Sequence, residues 1–361
     1  MRLLAIDIGA GTQDILLFDT STSIENSVQL IMPAPTRIVA GRIQEATRRG
    51  EPLLLTGVTM GGGASGSAVR KHLAAGLPVY ATPEAAATLD DDLDLVAGWG
   101  VNLVSEGEAE HVDGACRVEM KDLDLVAISR ALGAFGVEAS FDAVAVAALD
   151  HGAAPKDMSD RLFRFQYLRR VVEKRNELIA FVYMAEEVPS HLTRLQAIAK
   201  TLDRELPLLL LDTGVAAALG ALEDETVSRH PHRLLVNLGN SHTLAFHLEG
   251  NSILGLFEHH TGGLDAQRLG AFLERLTQGR LTQEEVFGDG GHGSVVLGRA
   301  SRAPFMTVTG PRRGMVRNSD LNPYLAAPHG AMMLVGCFGL IRAFALKMGT
   351  WREEIDRALG D

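Results

Sequence analysis

Two segments far apart in this chain carry the same pattern: an apolar run, a polar residue, glycine, a small polar turn and a second apolar run. They are LLAIDIGAGTQDILLFD at 3–19 and LLVNLGNSHTLAFHLEG at 234–250. A Gly-bearing turn between two apolar runs reads as a β-hairpin, not as a strand running into a helix. One such hairpin says little about a fold. Two, each opening one half of the chain, imply a duplicated unit and therefore two similar domains. At 361 residues the chain also exceeds the size at which one core stops growing.

Between the hairpins, buried-strand patterns at 53–58, 78–81 and 142–149 alternate with helical patterns at 68–75 and 124–135, which predicts an α/β layer architecture. The charged segment 157–190 is helical in pattern, and HLTRLQAIAKTL (191–202) predicts an amphipathic helix. LPLLLLDTGVAAALGALED (206–224) predicts a strand entering a helix of small residues. The domain boundary is expected there, giving units 1–215 and 216–361, with the C-terminal helix able to return to the first.

A net charge of −11 gives no general attraction to nucleic acid or to an anionic membrane. The arginines at Arg161, Arg164, Arg169 and Arg170 are expected on a solvated helix face. Two cysteines cannot form a disulfide framework, the first residues lack a signal-peptide pattern, and no apolar run approaches the ~20 residues of a membrane span. A cytoplasmic location is the expectation.

A polyphosphate needs backbone N–H donors brought close without side-chain clash, and a metal to neutralise its remaining charge. The turn Gly9-Ala10-Gly11-Thr12 offers amides and a hydroxyl. Asp7 at the strand end is a candidate Mg²⁺ ligand and catalytic carboxylate, with Asp14 as a second ligand.

These residues resemble the first phosphate motif of the actin-like ATPases, the superfamily of sugar kinases, actin and the seventy-kilodalton heat-shock chaperones. Further resemblances follow in order. TGVAAALGAL (213–222) is similar to the connecting helix at the interdomain hinge, and LLVNLGNSHTLAFHL to the second phosphate hairpin. ILGLFEHHTGGLDAQRL (253–269) resembles the strand and Gly-Gly turn after that hairpin, VTGPRRG (308–314) the turn under the adenosine, and AAPHGAMMLVGCFGLIRAF (326–344) the second connecting helix. The match is closest to an uncharacterised family carrying the label "pyruvate formate-lyase activating enzyme", and includes MGGGASG and LDHGAAP. Radical activation of that kind needs a three-cysteine cluster motif, which this sequence lacks.

The resemblance implies two ribonuclease-H-like domains flanking a nucleotide cleft, with ATP and Mg²⁺ as cofactors. Gly9, Gly11, Thr12, Gly239, Asn240 and Thr243 would contact phosphates, with Gly262 and Gly263 in the turn that follows. Gly310 and Pro311 would pack on adenosine, where Arg312 and Arg313 could stack. The sequence departs from the superfamily where Asn237 replaces the usual Asp and Asn240-Ser241 replaces glycines. An amide supplies no negative charge to a metal, so slow turnover is expected.

Three other places carry candidates. Gly61, Gly62 and Gly63 form a loop before a helix start, a place for a second ligand's anionic group or equally for a tight turn. Asp150 ends an apolar strand and is a candidate general base or a capping residue. His259, His260, His230 and His232 lack metal-site spacing and are expected as polar loop residues. Cys116 and Cys337 are expected as ordinary thiols, although in a homodimer they would be the candidates to bridge an iron–sulfur cluster.

Three functions fit: phosphoryl transfer from ATP to a small molecule or water, a regulatory ATPase whose closure acts on a protein partner, and a nucleotide-binding module without turnover.

Overall fold

The computed structural model describes residues 1–202, 205–300 and 302–360. The chain opens with β1 (Arg2–Ile8) and β2 (Thr12–Asp19), an antiparallel hairpin extended by β3 (Val28–Pro33). It then builds a separate parallel sheet from β4 (Leu53–Gly57), β5 (Val79–Ala81), β6 (Val101–Leu103) and β7 (Cys116–Met120), ordered β6-β5-β4-β7. The chain returns with β8 (Ala143–Ala148) parallel to β1, then β9 (Val182–Met184) and β10 (Leu208–Leu211). The resulting six-stranded sheet has the order β3-β2-β1-β8-β10-β9.

A second six-stranded sheet repeats the plan. Its strands are β11 (His232–Leu238), β12 (His242–Glu249), β13 (Ser252–His260), β14 (Gly293–Val296), β15 (Phe305–Thr309) and β16 (Tyr324–Leu325), in the order β14-β13-β12-β11-β15-β16. Each sheet is an antiparallel meander whose first strand takes a parallel neighbour on its other side, and then another. That is ribonuclease-H-like topology twice over, the α/β duplication expected from the hairpins. The first-hairpin strands and β8 are almost wholly buried because helices cover both faces, and this is why they read as apolar runs with little alternation.

Two helices of small and apolar residues, Thr213–Ala221 and Val335–Lys347, cross between the sheets. Both are buried nearly all round, as a core helix must be when it is apolar on every face. Helix Val335–Lys347 lies against β1, β2 and β8, and helix Arg352–Leu359 packs on it. A Cβ added at Gly220 would sit 1.7 Å from the Val335 carbonyl oxygen, and one at Gly339 1.8 Å from that of Ala216. The two backbones therefore touch. No single helix among the described residues is long and apolar enough to cross a membrane.

The differences from expectation are local. The segment 157–190 is α-helical only over Asp160–Lys174, after which short 3-10 turns flank the edge strand β9. The last connecting helix begins at Val335, preceded by short turns in which His329 has φ +48°. The strands β4 and β5 belong to a sheet of their own with its own apolar core, which strand–helix alternation cannot distinguish from a continuation of the first sheet.

Gly220→Ala is expected to destabilise the protein by about 1–3 kcal/mol, because the helix crossing must open. Gly107→Ala, in a helix where an added Cβ meets nothing within 4 Å, should be neutral or stabilise by about 0.5 kcal/mol. Urea unfolding of both variants compares them.

Candidate functional site

The two hairpin turns meet. A Cβ on Gly11 would lie 2.3 Å from Asn240 Nδ2, so the glycine of the first turn touches the side chain of the second. Below them opens a cleft of about 420 Å³ between the sheets. Gly9, Ala10 and Thr12 of the first turn line it, as do Gly239, Asn240 and Ser241 of the second and the Gly310-Pro311 turn. Within each hairpin the first glycine closes the turn: Gly9 N donates to the Thr12 carbonyl (2.9 Å) and Gly239 N to that of His242 (3.0 Å). The amides of Ala10 and Gly11, and of Asn240 and Ser241, stay outside these closing bonds.

The register of β1 and β2 places Asp7 directly opposite Asp14. Two carboxylates facing each other on one sheet face repel, and both lie in the cleft wall. Asp7 accepts a hydrogen bond from the Thr213 hydroxyl at 2.5 Å, and its other oxygen lies against Gly336, where a Cβ would come within 1.9 Å. Burial pushes its carboxyl up to about 7, opposed by the Thr213 bond and assisted by the charges of Asp14 and Asp212. Burial likewise raises Asp14 to about 6, against the Thr12 hydroxyl that lowers it. Asp14 Oδ1 is buried without a hydrogen-bond partner. Two hard oxygen donors with raised proton affinity, one of them orphaned, fit a small divalent cation.

The second hairpin lacks this pair. Asn237 stands where Asp7 does, and its cross-strand partner is Leu244. Thr243 pairs with Leu238 and so points to the opposite face; it is fully buried, and its hydroxyl bonds that of Thr261 at 3.0 Å. It is not a phosphate ligand, a correction that strand alternation explains. Gly262 and Gly263 form a short turn outside the cleft lining, Gly263 against the His259 ring. Gly310 adopts φ +94°, and a Cβ there would strike the Leu238 carbonyl and the Asn237 side chain. Arg312 donates its amide to the Leu238 carbonyl and Arg313 bonds back to the Gly310 carbonyl. Neither arginine lines the cleft.

Gly61, Gly62 and Gly63 line the far side of the cleft at the start of helix Gly63–Ala74. The Gly61 amide is already taken by the Asp122 carboxylate, at 3.2 and 3.3 Å to its two oxygens. Arg194 also holds Asp122, through two bonds of 2.7 and 3.0 Å. Asp150 reaches the lining too, but each of its oxygens accepts a backbone amide, from Gly152 (2.8 Å) and from Leu195 (2.9 Å). Both bonds brace the loop after β8, as the capping alternative expects, and Asp150 still lines the cleft.

Sequence reading missed the charged centre of the site. Arg164, only 1% exposed, binds Asp212 (2.9 Å), Glu258 (2.8 Å) and the Asp150 carbonyl (2.9 Å). The expected solvated arginine face is thus broken: Arg164 joins the two sheets, and Arg161 stacks on Phe287. Burial alone would raise the Glu258 carboxyl, yet Arg164 prevails and holds it below the usual range. His259 and His260 are strand residues, not loop residues, and His259 is buried within 3.2 Å of Asp289. Cys337 is wholly buried, its thiol directed at the Asp14 carbonyl (3.1 Å), and Cys116 lies in β7 of the separate sheet. A cluster bridging two copies through Cys337 is therefore ruled out by its burial.

The sequence profile of the family described as "Putative pyruvate format-lyase activating enzyme (DUF1786)" matches residues 60–315. No curated protein matches significantly. Among solved structures, the ethanolamine utilization protein EutJ from Carboxydothermus hydrogenoformans aligns over 94% of this chain and 89% of its own, with 12% identity and a TM-score of 0.32. The activator of the 2-hydroxyisocaproyl-CoA dehydratase from Clostridium difficile, solved with bound ADPNP, aligns over 98% of both chains with 10% identity and a TM-score of 0.36. A Ppx/GppA family member from Aquifex aeolicus covers 86% of this chain and 66% of its own at 12% identity and a TM-score of 0.28. Similarity at this level says nothing about activity.

Burying Asp7 raises its carboxyl from 3.8 to about 7, so the folded protein holds a proton that the unfolded chain releases. Stability from this group is present below the unfolded pKa and is lost as pH rises through the folded one. Asp7→Asn removes that loss. Its melting temperature should gain on the parent between about pH 4 and about pH 7 in metal-free buffer; a constant difference across that range would contradict the burial of Asp7.

Proposed function

We propose, for a chain that belongs to the family just described, that it binds ATP with Mg²⁺ between its two six-stranded sheets and turns it over slowly, closure of the sheets being its output. The contact of Gly11 with Asn240 carries this reading, because it brings loops of two separate sheets to one cleft above a pair of carboxylates. Asp7 and Asp14 would hold Mg²⁺, and the free amides at 10–11 and 240–241 would take phosphate oxygens. Gly310-Pro311 offers the surface for adenosine. Bound Mg²⁺ would supply charge neutralisation for transfer of the γ-phosphoryl group.

Slow turnover follows from what the cleft lacks. Asn237 and Leu244 put no carboxylate opposite Asp7, and Asp150 is occupied by two amides. The helix crossing at Gly220 and Gly339 is the natural pivot, since closure need only tilt two touching backbones. A protein partner would read the closed state. The radical activation named in the family description needs a three-cysteine cluster, and Cys116 and Cys337 are both free and far from forming one.

A second reading, phosphoryl transfer to a small molecule, is favoured by the far end of the cleft. There Gly62 and Gly63 face a wall containing Asp90 and Asp91. Burial, with the charges of Asp160 and Asp150, raises Asp91 to about 6. An acceptor carrying hydroxyl or amino groups suits that wall.

Calorimetry with Mg²⁺ and ATP is expected to show one site per chain, weakened at least ~10-fold by Asp7→Asn, the loss of one charged metal ligand. No heat with any adenine or guanine nucleotide overturns the reading. ADP formation that quickens with an added small acceptor, without matching release of inorganic phosphate, selects transfer over hydrolysis.

A further inference from the structure

Three histidines distant in sequence converge beside the cleft: His151 after β8, His242 at the start of β12, and His292 before β14. One ring nitrogen from each lies within 4.8 Å of the other two. His151 Nε2 is 3.0 Å from His292 Nε2, and the His242 ring centroid is 4.9 Å from that of His292. Glu258 of β13, fully buried, points Oε1 at His292 Nε2 from 4.0 Å.

We infer that His151, His242 and His292, with Glu258 beside them, form a site for one divalent transition-metal ion of the zinc class, tying the two six-stranded sheets together.

The argument rests on unspent lone pairs. His242 Nε2 and Glu258 Oε1 are buried without a hydrogen-bond partner, whereas buried polar atoms are nearly always satisfied, and His151 Nε2 and His292 Nε2 have only each other among the described residues. Packing imidazoles against each other and beside Arg164 disfavours protonation of the rings, which leaves their nitrogens as lone-pair donors. Burial lowers the proton affinity of all three rings. Neutral imidazole is the ligand form, and three such nitrogens plus a carboxylate are a typical zinc donor set. Three nitrogens at ~2.1 Å from a tetrahedral ion lie ~3.4 Å apart, so small ring rotations close the present spacing.

The surroundings hold the ligands in place. Arg164 fixes the other oxygen of Glu258 at 2.8 Å, and Gln283 Nε2 donates to the His292 carbonyl at 3.0 Å. Such outer contacts orient ligands toward a metal. The donor set also separates this site from the Asp7–Asp14 pair. Nitrogen ligands favour zinc-class ions, and an all-oxygen pair favours Mg²⁺. His151 follows a strand of the first sheet while His242, His292 and Glu258 belong to the second, so an ion held by all of them links the halves.

The test uses the full chain, stripped with chelator and free of nucleotide, so that its result is independent of ATP binding. Titration with Co²⁺ should produce visible ligand-field absorption that saturates at one equivalent, and Zn²⁺ should displace it. His292→Ala and His151→Ala, on opposite sides of the link, should each weaken binding at least ~10-fold, while His111→Ala, an exposed histidine, should leave it unchanged. Circular dichroism melts identify a variant that fails to fold, in which case the other carries the comparison. Absence of the absorption in the parent, or equal Co²⁺ affinity in the parent and a folded His151 or His292 variant, overturns the proposal. Mg²⁺ and ATP binding by the metal-free chain would survive that failure.

Discussion

The contact on which the remaining structure depends is the crossing of helices Thr213–Ala221 and Val335–Lys347. Their backbones approach so closely at Gly220 and Gly339 that a single methyl group at either place would overlap a carbonyl oxygen. This closeness sets the distance between the two six-stranded sheets, and so the width of the cleft. It also brings Gly336 against Asp7 and Thr213 within hydrogen-bonding reach of the same carboxylate. The elements that join the halves thereby also bury the acid at the cleft floor, and that burial raises its proton affinity. Architecture and electrostatics here have one cause.

The duplicated hairpins have diverged in charge while keeping their geometry. In the first, cross-strand register sets two acids face to face; in the second, the same positions hold an amide and a leucine. The negative charge of the two hairpins therefore lies on the first, and a cation bound there would leave the second hairpin to amides. Leu244 meanwhile packs on Gly214 of the hinge helix, where a Cβ would overlap it. What the second hairpin gave up in charge it uses in packing. Arg164 answers the acids deeper in, joining Asp212 of the first half to Glu258 of the second with almost no exposure to solvent. A buried cation between two buried carboxylates specifies how the halves meet more than it stabilises them.

Much of the fold was legible because hairpins are local. Apolar runs, a glycine turn and strand alternation follow from a few adjacent residues, and those signals placed β1, β2, β8, β11 and β12 within a residue or two. Thr243 was misread although its own register contains the answer: it is one position out of phase with the residue that matches Asp14. Asp150 was ambiguous for a different reason, since a carboxylate after a strand looks the same whether it meets substrate or the amides of Gly152 and Leu195. The separate sheet β4–β7 escaped because strand–helix alternation does not say which sheet a strand joins.

By itself the sequence determined the duplication, the α/β class and the residues of the phosphate-type turns, since each is encoded over spans of about twenty residues or fewer in which chain connectivity does the positioning. Only tertiary structure decided that Gly11 would touch Asn240, that Arg164 would be buried between two acids, and that His151, His242 and His292 would share one pocket. Those groups are up to 229 positions apart, and no local pattern records which distant side chains a packed core brings together.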